Sequence, residues 1–243
     1  MKRYQKNILI KGFGEKGQER LLNSKAVVTG LGGLGSAVAF YLAASGIGEL
    51  IIIDNDTVNL KDLQRQILYD EESVGMNKTD AAAKKLKKLN SDIKITAFDS
   101  KWGNIEKDLL TEVPDIIVDC VDNNKTKFAL NDFSVQSRIP FIHCGVVGMK
   151  GQITTIIPGK TGCLRCFFPD IVPEDISSDI EGILGPVAGN MGTLEAIEAI
   201  KYLTNSGDCL ENKILFTDYK ENTYEIVKYG KRKNCICSID EEK

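Results

Sequence analysis

Two close pairs of cysteines, one glycine-rich turn and a short series of charged residues carry the chemistry of this sequence. Cys163-Leu-Arg-Cys166 has the spacing of a zinc-ligand pair. Cys235-Ile-Cys237 is one residue tighter, and completes a Cys₄ site if the C-terminal segment folds back onto Cys163 and Cys166. A redox role is the alternative, but Cys163 does not open a thioredoxin-like helix. The glycine turn is Gly30-Leu-Gly32-Gly33-Leu-Gly35, in which Gly30, Gly32 and Gly35 fit G-x-G-x-x-G between an apolar strand and an apolar helix. Such a turn brings backbone N–H groups and a helix N-terminus to a phosphate. Asp54 closes the following apolar strand, where a carboxylate accepts hydrogen bonds from ribose hydroxyls.

These features fit a dinucleotide or a mononucleotide equally well. The next segment favours a triphosphate. Asp56, Asp62, Arg65 and Gln66 follow directly, and Val-Gly-Met-Asn-Lys ends at Lys78. Arg65, as a fork, and Lys78, as a point charge, can neutralise phosphates. Asp119-Cys-Val-Asp122-Asn then ends a strand with two acids, and Asp122 can hold Mg²⁺ against the phosphates. His143, Cys120 and Cys144 lie on apolar strands and read as core residues. The lysine face of helix 78–90 reads as solvated surface.

The elements that must position these residues alternate strand and helix from Lys25 onward, the pattern of a parallel sheet with crossover helices. Strands are expected at 26–30, 49–54, 93–98, 115–120 and 140–145, and helices at 33–45, 78–90 and 123–137. The pattern then changes to a smaller β region with strands at 151–157, 213–216 and 223–229, a helix at 187–204, and an irregular stretch at 168–185. The fold class is thus α/β, a Rossmann-like, mostly parallel sheet with helices on both faces, plus a C-terminal β region bearing the cysteine site. Residues 1–24 form a polar helical arm, 25–147 the nucleotide-binding region and 148–243 a docking region, within one continuous domain.

At 243 residues, with 42% apolar and 27% charged residues, the chain can bury a core of ordinary size. A net charge of −3 gives no electrostatic case for nucleic acid or a membrane surface. No apolar run reaches spanning length and the N-terminus lacks a signal-peptide core, so a cytoplasmic location is expected. Seven cysteines, an odd number, argue against a secreted disulfide framework.

With these residues in view the sequence resembles the ThiF/MoeB/HesA-type adenylyltransferases, bacterial relatives of ubiquitin-activating enzymes. The resemblance covers Arg3-Tyr4, the glycine turn, Asp54-x-Asp56-Thr-Val, Leu-Gln-Arg-Gln at 63–66, Val-Gly-x-x-Lys and Asp-Cys-Val-Asp-Asn. It continues through Gly151-Gln-Ile-Thr, the first cysteine pair and Gly185-Pro ahead of Leu-Glu-Ala-Ile-Glu-Ala-Ile-Lys at 194–201. It implies ATP, Mg²⁺ and Zn²⁺, and a reaction in which the C-terminal Gly-Gly carboxylate of a small ubiquitin-like sulfur-carrier protein attacks the α-phosphate of ATP. On this resemblance Asp54 binds ribose, Arg65 and Lys78 stabilise the phosphates with help from Gln66, and Asp122 holds Mg²⁺. It further implies a homodimer in which Lys6 or Arg3 reaches the other copy's ATP. The family places an arginine where Lys6 stands and an asparagine where Asp62 stands. Relatives with a cysteine in the loop before Gly-Pro use it covalently; here Ser178 occupies that place, so adenylation without a loop-cysteine intermediate is expected, with sulfur supplied by another protein such as a sulfurtransferase. A peptide-adenylating enzyme of the same family, an NAD-dependent oxidoreductase and a non-catalytic relative are the alternatives.

Overall fold

The computed structural model describes residues 2–169 and 182–238, apart from the side chains of residues 107, 108 and 110. An eight-stranded sheet runs through it in the order β3-β2-β1-β4-β5-β6-β7-β8. The strands are β1 (Lys25–Thr29), β2 (Glu49–Asp54), β3 (Lys94–Asp99), β4 (Ile116–Asp119), β5 (Phe141–Val147), β6 (Lys150–Ile156), β7 (Lys213–Asp218) and β8 (Thr223–Lys228). The first five are mutually parallel. The last three are antiparallel and extend the same sheet from the β5 edge. The C-terminal β region therefore continues the main sheet instead of folding apart from it.

The helices are α1 (Gln5–Ile8), α2 (Gly14–Leu22), α3 (Gly33–Ser45), α4 (Lys78–Leu89), α5 (Glu106–Thr111), α6 (Asn124–Ser137), α7 (Leu164–Phe167) and α8 (Gly185–Thr204). Successive strand residues point to opposite faces of the sheet, and both faces are apolar. Ala26, Val28, Leu50, Ile52 and Val118 belong to one core with α3, α4 and α8. Val27, Ile51, Ile53, Ile117 and Phe141 belong to a second core with α5, α6 and the cysteine cluster. Burial on both faces explains why these strands are continuous apolar runs without alternation.

The expected bounds of the helix at 33–45 and the strand at 49–54 agree with the structure. Gly46, at φ 88°, ends α3 in the left-handed conformation that glycine adopts without strain. α5 and α7 were not expected. The signal for α5 was present: Ile105 and Leu109, four apart, are both buried under the second core. α7 is a single turn that carries Cys166 and is tied to Asn131 and Asp132 of α6. Ser178 and most of the 168–185 stretch lie outside the described residues.

Candidate functional site

A cleft of about 1600 Å³ opens at the carboxyl ends of the parallel strands, where ligands bind in sheets of this kind. The glycine turn forms its floor. Gly30 takes φ 84°, and a Cβ on Gly35 would lie 1.9 Å from the Gly30 carbonyl oxygen. The turn can close only with glycine at both places. Asp54 sits beside it. Its Oδ2 accepts the Leu31 N–H at 2.6 Å and its Oδ1 accepts the Asp56 N–H at 2.8 Å. Burial pushes this carboxyl up, against the pull of Lys78 and the two N–H donors. These bonds pin the carboxylate to the glycine turn, with lone pairs left on both oxygens.

The charged residues of the next segment converge on the same cleft. Asp62 is buried, and its Oδ1 accepts from Arg65 Nη2 at 3.2 Å. The carboxylate at this place is thus the counter-charge that orients Arg65, whose side chain stays 27% exposed toward the cleft. Lys78 is buried at the N-terminus of α4, with Nζ 3.0 Å from Asp56 Oδ2. Asp56 itself is exposed, so the pair can open toward a ligand. Gln66 is 3% exposed, and its Oε1 has no hydrogen-bond partner among the described residues. Its amide nitrogen lies 3.9 Å from where a Cβ on Gly32 would stand. A buried amide left half-satisfied beside the glycine turn is a polar contact held ready for a ligand. Gly33 packs against Ala188 of α8, and Gly185 at the start of α8 abuts the Gln64 carbonyl oxygen. α8 therefore buttresses the 62–66 segment from behind.

The two acids after β4 have different fates. Asp122 is exposed and lines the cleft; a free carboxylate there is a hard oxygen donor of the kind Mg²⁺ takes. Asp119 is fully buried. It accepts Lys127 Nζ at 3.3 and 3.2 Å and His143 Nδ1 at 2.8 Å. Lys127 Nζ also donates to the Cys144 carbonyl at 2.6 Å. Burial pushes His143 down, against the pull of Asp119. With Nδ1–H given to Asp119, the neutral ring turns Nε2 toward the Gln152 amide at 3.5 Å. His143, Cys120 and Cys144 are core residues, as expected, but the sequence reading did not find this buried triad. Asp119, Lys127 and His143 lie on three different elements, and only the tertiary fold brings them together. The triad ties the end of β4 to β5 and to the first turn of α6, and so fixes the loop that carries Asp122.

Glu195 of α8 lies behind this triad, fully buried, and its one hydrogen-bond partner among the described residues is the Cys120 thiol at 3.8 Å. Burial pushes its carboxyl well above the usual range; Asp119 adds to the shift and Lys127 opposes it. A carboxyl raised in the folded state stabilises the fold fully below its unfolded value, near 4.5. That contribution is lost as pH rises through the folded value. Glu195→Gln should therefore gain stability relative to the parent chain as pH rises above about 4.5, read by urea unfolding. His143 titrates with the opposite sign in both chains and cancels from the difference. A difference that stays constant with pH would refute the assignment.

The arm does not enter the cleft of its own chain. Lys6 is exposed on α1. Arg3 donates to the Leu89 carbonyl at 3.0 Å and faces Asp92, at the far end of α4.

The cysteine pairs do converge. The sulfurs of Cys163, Cys166, Cys235 and Cys237 all lie within 4.8 Å of one another, with Cys163–Cys235 at 3.5 Å and Cys166–Cys237 at 3.4 Å. Zinc–sulfur bonds of 2.3 Å imply sulfur separations of about 3.8 Å in a tetrahedron, so the cluster fits such an ion. Burial pushes the Cys163 thiol up and raises Cys237 to about 11. A dication would remove that penalty by taking the thiolates. The Arg232 N–H donates to Cys166 Sγ at 3.3 Å, the hydrogen bond a ligand thiolate receives. Asp132 of α6 clamps Arg165 through two bonds of 2.7 Å, holding the first pair against α6.

The family model named ThiF matches residues 4–239. This chain belongs to the ThiF family. Among curated proteins it is 36% identical to the SAMP-activating enzyme E1 of Haloferax volcanii, over 97% of this chain and 88% of that one. It is 39% identical to the sulfur carrier protein ThiS adenylyltransferase of Escherichia coli, over 83% and 81%. Among solved structures, that of E. coli MccB with ATP superposes with a TM-score of 0.81 at 29% identity, covering 97% of this chain and 73% of that one. The ThiF-family match thus agrees with the α/β architecture. No helix among the described residues is long and apolar enough to cross a membrane.

Proposed function

We propose that this ThiF-family chain is an ATP-dependent adenylyltransferase acting on the C-terminal carboxylate of a small ubiquitin-like sulfur-carrier protein. The observation that carries this reading is the convergence of Arg65, Lys78 and Asp122 on one cleft around the glycine turn. The relatives named for ThiS and SAMP activation support the choice of acceptor.

The glycine turn and Asp54 hold the nucleotide. Arg65, braced by Asp62, and Lys78, released from Asp56, stabilise charge on the phosphates as pyrophosphate leaves. Gln66 supplies a further polar contact. Asp122 would hold Mg²⁺, which supplies charge neutralisation to the phosphates when bound. The acceptor carboxylate attacks the α-phosphorus, its P–O bond forms as the bond to pyrophosphate breaks, and the product is an acyl-adenylate. No protein nucleophile is needed, so the catalytic contribution is positioning and electrostatics.

On this reading residues 25–147 bind ATP, residues 148–243 dock the carrier, and the arm of residues 1–24 acts in a second copy. Lys6 or Arg3 would reach the partner's nucleotide in a homodimer, in keeping with their distance from their own cleft. The four cysteines would hold a structural zinc. The sequence has no cysteine between Cys166 and Cys209, so the adenylate would pass directly to a sulfur donor, such as a separate sulfurtransferase.

The test is ATP–pyrophosphate exchange over a panel of carriers ending in Gly-Gly. Exchange that depends on such a carrier is expected. A folded, zinc-loaded sample that exchanges with none of them would refute the reading. A short peptide is the second acceptor to include, because MccB structures, one in complex with N-formylated MccA, resemble this chain at TM-scores near 0.8. Exchange with a peptide but no carrier would transfer the reaction to that substrate.

A further inference from the structure

Among the described residues, two aromatic side chains line the cleft, one toward each end. Trp102 follows β3, and Phe216 lies on β7. Trp102 is also the only tryptophan in the chain. Within the adenylation reading, on which this inference rests, we infer that Trp102 is the stacking wall for the purine base of the nucleotide.

The strand order supplies the first reason. β2 lies between β3 and β1. The glycine turn ends β1, Asp54 ends β2, and the segment with Trp102 follows β3. Phosphate, ribose and base, joined in that order in a nucleotide, match these three strand ends in sequence across the sheet. β3 is two strands from the glycine turn, about 10 Å at the usual strand spacing. Phe216, on β7, is four strands from the turn in the other direction, about 19 Å. One ribose cannot bridge the longer gap. The far end also holds Gln152 and Lys150, on the side left for the acceptor.

The second reason is how the ring is held. The Ser100 N–H donates to the Asp54 carbonyl at 3.2 Å, so the segment is anchored to the residue that faces the ribose. β2 and β3 pair in register up to Asp54 and Asp99. The indole packs edge-on against Phe133 of α6, with ring centroids 5.1 Å apart and planes at 83°. It is partly buried against the second core and partly open to the cleft. An aromatic ring fixed on one side and open to a ligand cleft on the other stacks on a base at little conformational cost.

A single tryptophan makes the test direct. Full-length, zinc-loaded chain is titrated with ATP, AMP and inorganic tripolyphosphate, following tryptophan emission and, in parallel, heat of binding. ATP and AMP should quench the emission saturably, with the same dissociation constant that calorimetry gives, and tripolyphosphate should leave it unchanged. Trp102→Ala should raise KM for ATP about tenfold in the exchange assay, with kcat and the KM for the carrier kept, and Trp102→Phe should restore most of it. Heat of ATP binding without any change in emission would overturn the role of Trp102 and leave adenylation standing. An equal change with tripolyphosphate, or a loss that falls on kcat and both KM values together, would overturn it too. Absence of ATP binding by calorimetry would remove both readings at once.

Discussion

Arg65→Ala should slow carrier-dependent ATP–pyrophosphate exchange by about a thousandfold, the scale at which loss of one preorganised charge at a developing oxyanion is felt. Arg65 is not a free surface charge. Its guanidinium is tethered to Asp62, which is buried, so the rotamer is set before any nucleotide arrives. Arg65→Lys should rescue little, because an ammonium cannot bond Asp62 and a phosphate with one rigid fork. Arg65→Ala also strands the Asp62 carboxylate in a buried place, which destabilises the chain independently of catalysis. Adding Asp62→Asn to Arg65→Ala separates the two effects. The double variant should recover thermal stability and remain inactive. A double variant that regains exchange would show that Arg65 acts only by compensating Asp62, and would remove it from the phosphate site.

Removing the metal, or Cys163→Ser, should lower the melting temperature by about 8–16 °C, and metal analysis should find about one zinc per chain beforehand. The figure takes a loss of about 4 kcal/mol and the usual conversion for a domain of this size. It is large because the cysteine cluster closes the second core. Cys163, Cys166, Cys235 and Cys237 pack with Phe141, Ile156 and Leu164 in that core. Four buried thiols without a cation would face one another's partial charges across less than 5 Å. The Cys235-x-Cys237 spacing gives a specific contrast. A chain in which only Cys163 and Cys166 bound metal would tolerate Cys237→Ser; a four-sulfur site would not. Unchanged melting in Cys237→Ser together with full zinc content would sink the four-ligand assignment.

The fold and the candidate site were legible in the sequence to different depths. β2 and α3 could be bounded to the residue because their ends are chemical events: Gly33 opens the helix, Gly46 closes it in the left-handed region, and Asp54 ends an apolar run. The charges proposed to act on the phosphates could be named because each follows a recognisable turn or strand end. The short helices α5 and α7 were harder. A single turn carries little periodicity, and α7 is held by long-range bonds from Asn131 and Asp132 of α6. Asp62 is the instructive residue. The resemblance places an asparagine there, yet three residues later the sequence supplies the arginine that pairs with the carboxylate.

The sequence by itself determined the glycine turn, the family and the residue types proposed to meet the phosphates, since all of these depend on local spacing and on side-chain chemistry. The tertiary structure decided what the chain's path brings together across long separations. It joined β6, β7 and β8 to the parallel sheet, closed Cys163 onto Cys235, and gathered Asp119, Lys127 and His143 beneath the loop of Asp122. It also carried Arg3 to the far end of α4. The reason is physical. Periodicity reports which face of an element is buried, but not which distant element buries it, and a buried charge becomes intelligible only when its partner is in place.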